Sequence, residues 1–228
     1  MTTKVKAAAY RLAGGSKTVY GAEYEEKVST FNSFKKQVDK MVTVVTNLVT
    51  DTFVTEIKQK IVRDSADSSM NKFEKLGQAL YKYSLQIDDR SCAGVLQTAK
   101  NVLDKAGQEH RSFRTDIIER VQKPMKEWID VNAKNVSKEL KAVDNRRDEL
   151  DCAVNKLRKK ADDPEVKARK EQAENAFNEE LERADKLLDD EIKQSQSVVS
   201  SAMIAYMEVV EGYNGRMKNI FKVPSFNA

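Results

Sequence analysis

Residues 136–166 read VSKELKAVDNRRDELDCAVNKLRKKADDPEV. Apolar side chains recur there mostly three or four residues apart, at Val136, Leu140, Val143, Leu150, Val154 and Leu157. This spacing predicts a helix with one apolar face. A basic cluster ends the helix, and Asp163 followed by Pro164 predicts that another helix begins at once. We therefore expect a helical hairpin whose end is positively charged and points outward to a partner.

The second helix of this hairpin is predicted to run from residue 163 to about residue 221, before Val223-Pro224. Its apolar positions are Val166, Ala173, Phe177, Ala184, Leu188, Ile192, Val199, Ala202, Tyr206, Val209, Tyr213 and Met217. This pattern keeps a helical period over the whole length, so it predicts one long helix.

A first long helix is predicted over residues 23–63. Its apolar positions are Tyr24, Val28, Phe31, Val38, Val42, Val45 and Val49, with Phe34, Met41 and Leu48 widening the face. Valine favours strands, but a period of 3.5 residues over several heptads favours a helix. Residues 64–69 form the next break, where Asp67 and Ser68 are good N-cap residues.

The middle helix is predicted to begin near Met70 and to continue to about Ala161. The apolar pattern continues across Pro124, so this proline predicts a kink and not an end. The sequence thus predicts an all-α fold of three long kinked helices in an antiparallel coiled coil. The first helix and the start of the middle one have more apolar surface than one chain can cover, which predicts a dimer.

The composition excludes several classes of protein. Charged residues make up 33% of the chain and apolar residues 40%, and no apolar window is long enough to span a bilayer. The two cysteines, Cys92 and Cys152, lack metal-ligand spacing and are typical of reduced thiols in a cytosolic protein. The single histidine, His110, is expected at a solvated helix position. We find no catalytic constellation, metal site or cofactor motif, so no enzyme is predicted.

Charge is segregated along the hairpin. Between residues 155 and 170, basic residues outnumber Asp162, Asp163 and Glu165, whereas residues 171–193 are dominated by acid. The basic positions are Lys156, Arg158, Lys159, Lys160, Lys167, Arg169 and Lys170. Such a cluster favours an anionic lipid surface. The net charge of +4 and the lack of aromatic residues at the turn argue against a nucleic-acid site.

Residues 1–15 form a separate segment, which Gly14-Gly15 ends. Val5, Ala8, Ala9 and Leu12 fall on one side of a helical wheel, with Lys4, Lys6 and Arg11 mostly off it. This pattern predicts a weakly amphipathic helix, and a disordered tail is the alternative.

Several short motifs along nearly the whole chain, taken in order, resemble the BAR domain of the N-BAR group, especially that of endophilin. The motifs are Gly21-Ala22-Glu23 leading to Phe34, Val38 and Asp39; Val121-Gln122-Lys123-Pro124 into Trp128; Lys138-Glu139-Leu140; Asp144-Asn145-Arg146-Arg147; Leu150-Asp151; Arg158-Lys159-Lys160; Asp163-Pro164-Glu165; and the region of Tyr206. The resemblance implies a BAR domain over residues 16–222, followed by a tail over residues 223–228.

This resemblance implies a crescent-shaped homodimer with a six-helix central bundle that binds anionic membranes. Such proteins sense or generate curvature in endocytosis or tubulation, as peripheral membrane proteins of the cytoplasm. The seven basic residues of the hairpin end would contact lipid. Further contacts along the middle helix would come from Lys138, Lys141, Arg146 and Arg147. Val5, Ala8, Ala9 and Leu12 would insert into the membrane.

Two features depart from the endophilin pattern. Residues 51–64 lack the prolines of the inserted loop in that branch, and no Src-homology domain follows Phe221 in this sequence. The alternative prediction is a structural or adaptor coiled-coil protein that binds other helices and no lipid.

Overall fold

The computed structural model describes residues 17–50 and 70–222. All of the secondary structure in these ranges is helical, which confirms the predicted all-α fold. The helices are α1 (Ala22–Thr50), α2 (Lys72–Ser84), α3 (Arg90–Ile117), α4 (Lys123–Glu127), α5 (Lys134–Lys159) and α6 (Pro164–Ile220). Two π-helical segments, Ile118–Gln122 and Trp128–Ala133, flank α4.

The predicted start of the last helix is confirmed. Asp163 Oδ1 accepts hydrogen bonds from the backbone N–H groups of Glu165 (3.0 Å) and Val166 (3.4 Å), and α6 begins at Pro164. The aspartate satisfies N–H groups that lack a partner within the helix, and the proline needs none. The first helix begins at Ala22, one residue before the prediction. Its predicted extension to residue 63 lies outside the described residues.

The prediction of an unbroken middle helix is wrong. α2 ends at Ser84, whose hydroxyl donates to the Tyr81 carbonyl oxygen (2.8 Å), and α3 begins at Arg90. Asp89 caps α3 by accepting from the N–H groups of Ser91 (2.8 Å) and Cys92 (3.3 Å). Short polar side chains offer the backbone these alternative hydrogen bonds and so interrupt a helix.

The N-cap of α2 also differs from the prediction. Asp67 and Ser68 lie outside the described residues, and the cap is Asn71. Asn71 Oδ1 accepts from the N–H groups of Phe73 (3.1 Å) and Glu74 (3.2 Å), while the Asn71 N–H donates to Glu74 Oε2 (3.0 Å). This reciprocal arrangement is a capping box, and it fixes where α2 starts.

Helical structure continues across Pro124, as predicted. The Lys123 N–H donates to the Ile118 carbonyl oxygen, five residues earlier, so the turn before the proline is widened. A π-helical turn of this kind shifts the hydrogen-bond register, which accommodates a residue without an N–H group. The predicted kink at Pro124 stays a prediction.

The chain divides into two compact units. Unit 1 comprises the described parts of Met1–Asp39 and Lys126–Val198. Its core contains Phe31 and Trp128, whose ring centroids lie 6.0 Å apart. Trp128 Nε1 donates to the buried Glu191 (3.0 Å), which satisfies the polar edge of this ring. The core continues through the apolar residues Val136, Val143, Ala184 and Leu188.

Unit 2 comprises the described parts of Lys40–Met125 and Val199–Ala228. Val45, Leu103, Ile117, Met125 and Val209 are among its core residues. The expected solvated position of His110 is wrong, because His110 is half-buried within about 6 Å of three aromatic rings. These rings belong to Phe73, Phe113 and Tyr213.

Candidate functional site

The basic hairpin end lies in unit 1, where α5 turns into α6. The Lys160 N–H donates to the carbonyl oxygens of Lys156 (3.1 Å) and Leu157 (3.2 Å), which closes the last turn of α5. The Asp163 N–H donates to the Lys160 carbonyl oxygen (3.3 Å), and α6 starts one residue later. So short a connection between the two helices brings the basic residues at both of their ends into one place.

Most of the predicted lipid contacts at this end are exposed. Lys156, Arg158, Lys159, Lys160, Lys167 and Arg169 are exposed, and Lys170 is half-buried. We call these seven residues the basic tip. Arg169 pairs with Glu165 (3.6 Å) and Lys170 pairs with Glu174, each four residues away on α6. Pairs of this kind on a surface are worth less than about 1 kcal/mol, so they compete weakly with another anion.

Acidic residues lie next to the basic tip, but some of their carboxylates are already bound to other groups of the protein. Asp163 is the N-cap of α6, so its carboxylate is held against backbone N–H groups. Farther along α6, Glu171, Glu179, Glu182 and Asp190 are exposed. The positive charge is therefore local to the turn and is not a property of the whole hairpin.

The predicted contacts along α5 fall into two groups. Lys138, Lys141 and Arg146 are exposed, and Arg146 pairs with Glu149 (2.8 Å). Arg147 is only 8% exposed, and its guanidinium carbon lies 4.3 Å from the centre of the Tyr20 ring. The structure therefore does not support lipid contact by Arg147, which binds Asp144 and packs on an aromatic ring instead.

Residues 17–20, which precede α1, form an N-terminal strap on α5 that the sequence did not predict. The backbone N–H and the hydroxyl of Thr18 both donate to Asp151 Oδ1, at 2.9 Å and 2.6 Å. The Tyr20 hydroxyl donates to Asp144 Oδ1 (2.8 Å). Burial, followed by this hydrogen bond, raises the pKa of Tyr20 above its ordinary value, so the phenol stays a donor.

The N-terminal segment with Val5, Ala8, Ala9 and Leu12 lies outside the described residues, so its predicted insertion is untested. Within the described ranges, no group of acidic, histidine or cysteine side chains is placed to hold a metal ion. No helix in these ranges is both long and apolar enough to cross a bilayer.

Large apolar side chains are exposed in unit 2. They are Val44, Leu48, Leu76, Tyr81, Tyr83, Leu85, Val95, Ile204, Met207 and Phe221. Single exposed apolar residues are ordinary, whereas contiguous exposed apolar surface is typical of association sites.

Two solved structures are similar to this chain. The chain is similar to a BAR protein from Galdieria sulphuraria, with 14% identity, a TM-score of 0.60, and coverage of 89% of this chain and 95% of that one. It also resembles the N-terminal I-BAR domain of D. discoideum IBARa, with 13% identity, a TM-score of 0.46, and coverage of 86% and 84%. A search of curated proteins gave no significant match.

A sequence profile of the BAR domain matches residues 7–222. BAR domains generally dimerise, bind membranes and act as scaffolds without enzymatic activity. Because the match covers most of the chain and the fold agrees with a solved BAR protein, this chain belongs to the BAR domain family, whose members sense or generate membrane curvature.

Proposed function

We propose that this protein is a peripheral membrane protein of the cytoplasm that binds anionic bilayers as a homodimer, through the basic tip of each subunit. Endocytosis or membrane tubulation is the process in which we place it. The exposure of six cationic side chains around one tight turn is the observation that carries this proposal.

The charge of the basic tip is large enough for useful binding. An anionic membrane attracts each nearby Lys or Arg by about 1 kcal/mol, so one tip contributes on the order of 3–5 kcal/mol after its acidic neighbours are counted. Salt screens such charges over about 10 Å at 0.1 M ionic strength. We therefore expect binding that weakens steeply as salt is added.

The apolar surface of unit 2 supports dimer formation. Leu76, Tyr83 and Leu85 are more than half exposed in the single chain, and burying them stabilises association by roughly 25 cal/mol per Å² of apolar area. A second copy of the chain offers the same surface, as an isologous interface requires. Small-angle scattering tests this step, because a dimer has about 52 kDa, twice the 25.9 kDa of one chain. A straight rod or a filament would favour the alternative of a structural coiled-coil protein.

Co-sedimentation with vesicles tests the basic tip directly. The double substitution Lys159→Glu with Lys160→Glu removes two attractions of about 1 kcal/mol each and adds repulsion, so binding to phosphatidylserine vesicles should weaken at least about thirtyfold. A matched control, Lys105→Glu with Lys218→Glu, makes the same charge change at exposed positions of unit 2.

Two results would contradict the proposal. One is unchanged binding by the tip variant, and the other is equal binding of the unmodified protein to neutral phosphatidylcholine vesicles. Removal of residues 1–15 should weaken binding without abolishing it, because burying Val5, Ala8, Ala9 and Leu12 contributes only about a few kcal/mol.

A further inference from the structure

A groove of about 440 Å³ lies between α5 and α6, and Lys156 and Arg169 of the basic tip are among its lining residues. It is lined by Glu149, Cys152, Ala153, Asn155, Lys156, Val166, Arg169 and Ala173. A volume of this size falls within the range of small-ligand sites in proteins, about 300–1,000 Å³.

Small side chains create the groove. Ala153 of α5 and Ala173 of α6 stand among its lining residues, and alanine leaves space that a larger apolar residue would fill. The part of α5 that lines the groove extends from Glu149 to Lys156, which is about 10 Å at 1.5 Å per residue. A short linear alkyl chain fits that length.

The two ends of the groove carry opposite charges. Lys156 and Arg169 lie at the end toward the basic tip, whereas Glu149 lies at the other end and pairs with Arg146 (2.8 Å). Between these ends the apolar lining comes from Ala153, Val166 and Ala173, together with the half-buried thiol of Cys152. A ligand that complements the groove has an anionic head toward the tip and an apolar tail away from it.

We propose that the groove binds the part of one acyl chain nearest the head of an anionic phospholipid, with the phosphate of that lipid on Lys156 and Arg169. This inference rests on the proposed function and adds a lipid site to it. Side chains must bind the phosphate, because Asp163 already occupies the N–H groups of Glu165 and Val166. A lipid bound in the groove enters the protein, which differs from the diffuse attraction between the basic tip and a charged membrane surface.

Cys152 provides a reporter inside the groove, and Cys92→Ser removes the other thiol of the chain. The probe is dihexanoyl-phosphatidylserine, used as a monomer in solution without vesicles. The rate at which a maleimide alkylates Cys152 should fall about fourfold when the lipid is at roughly three times its Kd. Dihexanoyl-phosphatidylcholine tests the need for net negative charge on the lipid, and glycerol phosphate tests the head without a tail.

Substitutions that fill the groove keep the inference falsifiable. Ala173→Leu places a side chain in the groove and should abolish the protection of Cys152, measured as the ratio of alkylation rates with and without lipid. Ala168→Leu is the matched control, because Ala168 lies on the same helix at an exposed position outside the groove lining. Ala153→Leu gives the same test from α5 if the first variant fails to fold.

The inference is overturned if the anionic lipid gives no protection, if glycerol phosphate or phosphatidylcholine protects equally, or if Ala173→Leu leaves the protection unchanged. Loss of vesicle binding in the variant with Lys159→Glu and Lys160→Glu tests the proposed function separately, since neither lysine lines the groove. Vesicle binding without protection of Cys152 would therefore reject the groove alone, and protection without vesicle binding would reject the basic tip alone.

Discussion

Substitution of Thr18 by valine should open the N-terminal strap without unfolding the hairpin. Asp151 is 2% exposed, and its Oδ1 accepts both the backbone N–H and the hydroxyl of Thr18. Asp151 Oδ2 is buried without a hydrogen bond among the described residues. Thr18→Val keeps the shape of the side chain but leaves this buried carboxylate with one donor fewer.

The expected loss follows from the geometry. A hydrogen bond to a charged group contributes about 1.5–3 kcal/mol, and the partly exposed strap reduces this to roughly 1–2 kcal/mol. Such a loss raises the open fraction of the strap roughly five- to thirtyfold. The amide of residue 18 donates to Asp151, so it exchanges with solvent only when the strap opens. Hydrogen exchange of this amide, followed by NMR, should accelerate by the same factor.

Thr18→Ser is the control, because it keeps the hydroxyl and should exchange at nearly the original rate. Unchanged exchange in Thr18→Val would refute the reasoning, as would equal acceleration throughout α5 and α6, which would indicate global unfolding. The strap holds the chain at Asp151, about 14 Å along α5 from Lys160.

Two further predictions concern unit 2. Gly107→Ala should lower the melting temperature, because its Cβ would lie 2.5 Å from Glu74 Cγ in the capping box; Gly94→Ala, with open space around it, should be neutral or stabilising by up to about 1 kcal/mol. Burial and then the charge of Arg114 lower the pKa of His110 in the folded protein below its ordinary 6.5. As the pH falls, His110 therefore becomes protonated in the unfolded chain before it does so in the folded one. Urea midpoints should therefore rise with pH from the lowered pKa up to 6.5, and His110→Phe should remove this part of the rise.

Helix starts that depend on local chemistry could be predicted from the sequence. Asp163 followed by Pro164 satisfies or removes N–H groups within one turn, so no distant contact is needed to start α6 there. Asn71 and Glu74 form an equally local capping box, and their spacing could have identified the start of α2. The end of α2 was missed because Ile87 continues the apolar period through the break, while the caps on either side depend on polar side chains.

The basic tip could be predicted because its residues are contiguous in sequence around a turn. The burial of Arg147 could not, because the ring that covers it belongs to Tyr20, far away in the chain. The strap could not be predicted for the same reason, because Thr18 and Asp151 are 133 positions apart in the chain. Sequence periodicity describes a helix face as apolar or polar, and it does not tell which charged residues a distant segment covers.

Two different sides of α5 carry its charged residues. At 100° per residue, Asp144, Arg147 and Asp151 share a face, next to the apolar positions, where the strap binds. Lys138, Lys141, Lys156 and Lys159 are all exposed and fall within about 60° of one another, opposite the apolar positions and about 120° from the centre of the face that binds the strap. These lysines form two pairs about 22 Å apart along α5, and the second pair belongs to the basic tip. Under the proposed function, a membrane that meets the tip can also meet Lys138 and Lys141 while the strap stays closed, because the lysines and the residues that bind the strap lie on different sides of α5.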